Sequence, residues 1–284
     1  MIMVSKFKIL LILLAFLFTG SCGDKKNKTS KIVEVDMEQQ MLSAYKEGLF
    51  ELERGDVILA ARKFNEAELL FPQSPWAPKS VLMAAYAYYS QSYYPRSISE
   101  LERYLVTYPK HKDKVYGHFL LGMSFYQQIV DETKDLKSLL FSKKQFEFII
   151  KEYPSSDFAL DAKFKINLIN EILAAKEMYL ARYYLEKMKW IPAINRFKVV
   201  VTKYNTTIYV EEAIHRLVEV NYKLGLEEEA KKYASTLGYN YQSSDWYKNT
   251  YKIFNQDYKD GIEELKNNKK EKNRIFKKFK DFFK

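Results

Sequence analysis

The sequence predicts an all-α fold, an array of stacked helix pairs in which each pair repeats the pattern of the one before it. Three observations carry that prediction. The stretch Ala85 to Pro109, AYAYYSQSYYPRSISELERYLVTYP, matches the chain 37 residues earlier, with Pro109 on Pro72, Leu101 on Phe64, Ser97 on Ala60 and Ala85 on Gly48. Self-similarity at a fixed period of this size is the signature of a repeat architecture. Units also close alike, in FPQS at 71–74, YPKH at 108–111 and YPSS at 153–156, where proline lacks an N–H and disfavours helix in the residue before it. Finally, the 284 residues hold only nine glycines and seven prolines, and runs of alternating β-branched residues are few, so strands have little support.

The spacing within a unit has a packing logic. A small residue, Gly48 or Ala85, lets two helices approach, and twelve positions later a second small one, Ala60 or Ser97, lies on the facing helix. Four and seven residues further on come Phe64 and Ala67, or Leu101 and Tyr104, which share a helix face and fill the gap between neighbours. These offsets are those of the tetratricopeptide repeat, a helix-turn-helix of roughly 34 residues. The expected architecture is a tetratricopeptide-repeat superhelix of about five helix pairs with an extra helix in the middle.

Taken in order, residues 1–21 read as a signal peptide. Lys6 and Lys8 precede the apolar run Ile9 to Phe18, which as a helix would span about 15 Å, half the hydrocarbon thickness of a bilayer. Cys22 is the only cysteine and so has no disulfide partner within the chain. Residues 22–36 read as a polar tether. Helix should begin near Met37, and the first unit runs from about Met41 to Pro75 with Gly55 and Asp56 at its turn. The second spans about Pro78 to Lys112. In the third, the segment Asp131 to Ser138 lengthens the inter-helix loop, and Gly122, Phe146 and Ile149 take the packing slots. An additional long helix is expected over roughly Phe158 to Lys176. The fourth unit then places Ala181, Ala193, Phe197 and Val200 in the slots, with Trp190, Ile191 and Pro192 at its turn. A fifth has Gly225 at its turn and Ala230 in its second helix, and closes in YNYQSSDW. Residues 37–156 thus form an N-terminal set of three repeats and 157–258 a C-terminal set. The tail, 259–284, is either a basic amphipathic segment or disordered.

Charge excludes one partner class. The net +10 is concentrated at the ends: residues 266–284 hold nine Lys/Arg and two Asp/Glu, and the leader holds Lys6 and Lys8, leaving Cys22 to Leu265 at +1. A nearly neutral body makes nucleic acid an unsuitable partner. Catalytic constellations are equally absent. His111, His118 and His215 are scattered, with His111 expected as a solvated loop residue, and no H-E-x-x-H, G-x-S-x-G or phosphate-cradling loop occurs, so neither a metal, a cofactor nor an enzyme is expected. What remains is a surface. In repeat geometry the first helix of each unit lines the concave side, exposing Tyr45, Leu49 and Leu52, then Leu82, Tyr86 and Tyr89. Each of these is individually as compatible with ordinary core; as a set they describe an apolar and aromatic channel suited to a peptide ending in an aromatic residue.

Small residues before Cys22 resemble the lipobox of bacterial lipoproteins, which implies N-palmitoyl and S-diacylglycerol groups on Cys22. Gly23, rather than aspartate, follows the cysteine and points to the outer membrane. The repeats go further. The segments AYYSQSYYPRSISELERYLVTYPKH, YPSS and ARYYLEKMKWIPAINRF, with the inserted loop and extra helix, resemble the BamD family of the β-barrel assembly machine over about residues 37–250. That resemblance implies a non-enzymatic lipoprotein on the periplasmic face of the outer membrane, held to its inner leaflet by the lipid. It implies docking to the POTRA region of BamA through the C-terminal repeats, association with other assembly-machine lipoproteins, and capture of the C-terminal segment of unfolded outer-membrane proteins by the N-terminal groove. Arg196, in AINRF, matches the family arginine at the POTRA-facing surface. The alternative function on the same fold is a periplasmic repeat lipoprotein scaffolding cell-wall or division proteins.

Overall fold

Helix starts follow local chemistry. In the computed structural model, which describes residues 36–128 and 136–254, the Asp36 carboxylate accepts the Glu38 N–H at 3.0 Å and opens α1 (Met37–Glu53). Asp56 does the same for α2 (Val57–Leu70), accepting from the Leu59 N–H at 3.0 Å. Both satisfy donors a helix start leaves unpaired. Prolines sit in the first turns of α3 (Ala77–Ser90) and α4 (Tyr94–Thr107), where the missing N–H has no cost. The third pair is α5 (Lys114–Tyr126) and α6 (Lys137–Glu152). Ser156 caps α7 (Asp157–Glu186), followed by α8 (Trp190–Lys203), α9 (Val210–Lys223), α10 (Glu227–Asn240) and α11 (Asp245–Phe254). Among the described residues there are these eleven helices and no strand, and the main packing is between helices adjacent in sequence, as expected of a solenoid.

Three features differ from the sequence-based expectation. The extra helix and the first helix of the fourth unit are one continuous helix, the 30-residue α7, because nothing between Phe158 and Glu186 is a proline or glycine that would break it. Lys137 and Ser138, expected in the inserted loop, already belong to α6. The helix α11 had no counterpart in the reading of SSDW as an ending; it packs on α9 and α10 and covers the last pair. The leader, Cys22, nearly all of the tether, loop residues 131–135 and the basic tail lie outside the described residues.

The small-to-large slots account for the core. A Cβ on Gly48 would lie 2.8 Å from the Phe64 ring, and one on Gly122 would lie 2.8 Å from the Phe146 ring, so the ring of the second helix rests on bare backbone of the first. Ala85 faces Leu101 in the second unit, and Ala181 faces Phe197 in the fourth. All four large plugs are fully buried.

One turn recurs in four units. Gly55 (φ 84°), Ser92 (φ 63°), Met188 (φ 56°) and Gly225 (φ 75°) stand two residues past the end of the first helix. Each N–H donates back three residues, as from Gly55 to Leu52 O at 3.1 Å, and the next N–H donates back five, as from Asp56 to Glu51 O at 2.9 Å. This is the Schellman closure, which calls for a left-handed residue. Left-handed geometry costs a residue with a Cβ about 1–2 kcal/mol. Ser92→Gly and Met188→Gly are therefore each expected to stabilise by about 1 kcal/mol, net of the entropy glycine loses on folding, raising Tm by roughly 2–4 °C in a chain this size. An unchanged or lowered Tm in thermal unfolding would count against the assignment.

The units are also tied by polar contacts. Glu68, almost buried on α2, accepts from Arg103 Nη1 on α4 at 2.7 and 2.8 Å and from the Tyr108 hydroxyl at 2.7 Å. At the other end, buried His215 on α9 lies 2.7 Å through Nδ1 from Thr250 Oγ1 of α11, with its ring 5.2 Å from that of Trp246. The Glu219 carboxyl is held down to about 2, first by His215 and also by the Arg216 N–H at 2.7 Å, against the opposing effect of burial. A lowered carboxyl contributes stability above its ordinary value of 4.5 and loses it as pH falls toward 2. Hydrogen-exchange protection factors, corrected for the intrinsic rate at each pH, should fall in α9 and α11 over that window in the native chain, and Glu219→Gln should flatten the dependence; an identical acid profile in the variant would refute the assignment.

Candidate functional site

The first helices α1, α3 and α5 and the start of α7 converge on a cavity of about 370 Å³. Tyr45 contributes from α1, Lys79, Leu82 and Met83 from α3, Asp113 and Tyr116 from the start of α5, and Phe158 from α7. Tyr45 is wedged edge-on between Phe64 and Trp76, at ring distances of 5.3 and 5.1 Å. Tyr116 meets Phe158 at 5.9 Å, and Phe158 meets Phe119 at 5.2 Å. These ring contacts fix the walls, since each aromatic is braced by another. Burial raises the Tyr45 hydroxyl and, with Tyr86 and Tyr89 nearby, pushes Tyr116 up to about 12. The phenols are thus neutral at physiological pH and offer both a donor and an acceptor.

Of the six groove residues named from the sequence, Tyr45 and Leu82 line this cavity. Leu82 does so from within the core, being 5% exposed. Its expected exposure is corrected: α4 and α5 pack against the side of α3 that carries it. Leu49 and Tyr86 are exposed on the first helices. Leu52 and Tyr89 are half-buried against the adjoining core clusters, Tyr89 with its ring 5.8 Å from Tyr94. The sequence reading missed Lys79, Met83, Asp113, Tyr116 and Phe158. Part of the signal was present, because Lys79 and Tyr116 stand 37 residues apart, in the same slot of successive first helices. His111 is not the solvated residue expected; its Nδ1 lies 2.9 Å from the Tyr104 hydroxyl, and burial lowers its pKa.

A second concave feature lies where α7 meets α8, a cavity of about 370 Å³ bordered by Tyr184, Ile191, Pro192, Asn195, Arg196 and Val199. Pro192 and Asn195 come from the first turns of α8, and Arg196 follows one position on, beside the buried plug Phe197. Arg196 Nη1 donates to both carboxylate oxygens of Glu177 on α7, at 3.1 and 3.3 Å. The guanidinium is thereby held in place while staying 41% exposed. Tyr184, Ile191, Pro192 and Val199 line the cavity beside it, Ile191 as an exposed apolar side chain. A fixed cation among apolar groups at a helix junction is suited to a carboxylate on a protein partner.

Among the described residues no group of three His, Cys, Asp or Glu could hold a metal ion, and no helix is long and apolar enough to cross a membrane.

Comparison with known proteins identifies a family. The family profile YfiO, described as outer membrane lipoprotein, matches residues 37–237. A relative from Rickettsia prowazekii (strain Madrid E), named outer membrane protein assembly factor BamD, is 36% identical over 237 residues, covering 84% of this chain and 92% of that protein. Its namesake from Caulobacter vibrioides is 33% identical over 248 residues, covering 87% of this chain and 80% of that one. Among solved structures, the first tetratricopeptide-repeat domain of RPAP3, bound to an HSP90 peptide, covers 50% of this chain at 17% identity with a TM-score of 0.38.

Proposed function

This chain belongs to the YfiO family of outer membrane lipoproteins, to which the BamD assembly factors belong, and from that premise we propose that it is a non-enzymatic adaptor in the insertion of β-barrel proteins into the outer membrane. The observation that carries the reading is the extent of the relationship: 92% of the Rickettsia assembly factor is matched, across both halves of the superhelix and so across both concave surfaces. In this reading the α7–α8 surface around Arg196 docks the POTRA region of a BamA homologue. The groove of the first three repeats receives unfolded barrel segments. Lipid on Cys22 holds the chain to the inner leaflet of the outer membrane, facing the periplasm; several acyl chains give a stable anchor where one gives only marginal binding.

The division of labour has a physical basis. The N-terminal cavity is lined mainly by apolar and aromatic groups, which bind an extended segment without demanding one sequence. The C-terminal surface presents an anchored guanidinium, which rewards one carboxylate in one place. Affinity purification of the tagged chain from detergent-solubilised membranes is expected to recover a BamA homologue. Recovery of cell-wall or division proteins in its place would overturn the assembly reading in favour of a general periplasmic scaffold.

A further inference from the structure

The long helix α7 is covered on one flank over only half its length. Glu171, Ala175, Met178 and Arg182 follow one another on that flank at helical spacing. Met178 is buried in the cluster that holds Phe197 of α8 and Leu217 of α9, and Arg182 pairs with Glu212 of α9. Because α8 turns back from the end of α7 and has 14 residues against 30, its cover stops near the middle of α7. Beyond that point the flank carries Phe164, 61% exposed, and Leu160, 72% exposed, while Ile208 in the loop after α8 is 79% exposed. At the border Glu171, Ile172, Ala175, Ile208 and Tyr209 line a cavity of about 420 Å³. Glu171 Oε1 accepts the Ile208 N–H at 3.3 Å, whereas Oε2 is shut off from solvent and has no partner among the described residues. The bare half of α7 is thus an apolar seam that ends in a carboxylate oxygen lacking a donor.

We propose that the chain's own basic tail covers this seam, with Lys272 reaching Glu171. Pattern and charge together select that occupant. In the tail, Lys272, Phe276, Phe279 and Phe283 follow one another in steps of four, three and four, which is the spacing of one helical stripe. When this stripe is laid antiparallel to α7 with Lys272 at Glu171, Phe279 falls opposite Phe164, seven residues along in each segment, and Phe283 opposite Leu160, eleven along. The rings then bury against Leu160, Phe164 and Ile208 instead of facing water, and the ammonium supplies the donor that Oε2 lacks. Chain length permits the contact. Phe254, at the end of α11, has its ring 5.4 Å from that of Tyr222 near the end of α9, and Tyr209 of the cavity caps the start of the same helix, about 21 Å away along its axis. The 17 residues between Phe254 and Lys272 reach about 56 Å when extended. The inference concerns a contact within one chain and does not depend on the adaptor reading.

The test is hydrogen exchange read by mass spectrometry on the full chain in detergent, followed over residues 158–170 and 204–209. Against a chain ending at Leu265, the native chain is expected to exchange about tenfold more slowly there, because covering a helix face raises the cost of local opening. Phe279→Ser, which lies outside the helices that form the superhelix, should remove the protection without touching their packing. Lys272→Glu and Glu171→Lys should each weaken it, and the two substitutions together should restore it. Equal exchange in the native and shortened chains would overturn the proposal. Protection that grows with protein concentration would overturn it in favour of a second copy on the seam. A tail whose removal alters only binding to phosphatidylglycerol vesicles would overturn it in favour of a lipid contact. Loss of protection on shortening with no recovery in the charge-swapped pair would overturn the pairing of Lys272 with Glu171.

Discussion

Replacing Phe197 by alanine is expected to destabilise the C-terminal half by about 3–5 kcal/mol, toward the upper end of what a buried phenylalanine costs when truncated. The ring is fully buried, and its cluster joins α7, α8 and α9. Much of that cluster is alanine: Ala174, Ala181, Ala193 and Ala213. Alanines have no side chain that could swing into the space, so the cavity left behind persists, and the cost of a cavity grows with the volume that stays empty. Leu101 occupies the same slot in the second unit but lies among Val81, Leu82, Leu120 and Leu121, which can partly collapse. Leu101→Ala should therefore cost less than Phe197→Ala. Urea unfolding measures both, and a loss below about 1 kcal/mol for Phe197→Ala would contradict the packing account. Because solenoid stability is a sum over neighbouring repeats, hydrogen exchange should show the damage in α7 to α9 and spare α1 to α4.

Arg196→Glu is expected to weaken docking of the POTRA region by about 2 kcal/mol or more, roughly 30-fold, as a favourable charge contact is replaced by a repulsive one. The same substitution also sets a second carboxylate against Glu177, the present partner of the arginine, so a binding loss could come from the fold instead of the interface. The charge-swapped pair, Arg196→Glu with Glu177→Arg, separates the two. It restores the pairing between α7 and α8 while the surface offered to the partner keeps the wrong sign. Calorimetry of the swapped chain with the POTRA region should still show the loss, and recovered affinity would assign Arg196 a purely structural role. Arg196→Lys should fall between native and reversed, since an ammonium keeps the charge but not the planar fork.

The helical array was legible in the sequence because most contacts join neighbouring helices. When a helix packs chiefly on the one before it, the small residue and the plug that fills it recur at constant offsets, as Gly48 with Phe64 and Gly122 with Phe146 do. The turns were only half legible. Gly55 and Gly225 announce a left-handed residue, but Ser92 and Met188 take the same geometry without the glycine that would signal it. The continuity of α7 is written in the lack of any breaker between Phe158 and Glu186. The repeat period masks it by suggesting a join near Lys176.

The amino-acid order by itself determined an all-helical chain of small-against-large helix pairs and the family to which those pairs belong. The tertiary structure alone decided which residues face one another across the superhelix. Tyr45 and Phe158 stand 113 positions apart and line one cavity, and Arg196 meets Glu177 across a helix hairpin. Offsets within a repeat describe contacts between neighbours, whereas a concave surface depends on the curvature accumulated over several repeats, and that small rotation per unit leaves no periodic mark in the sequence.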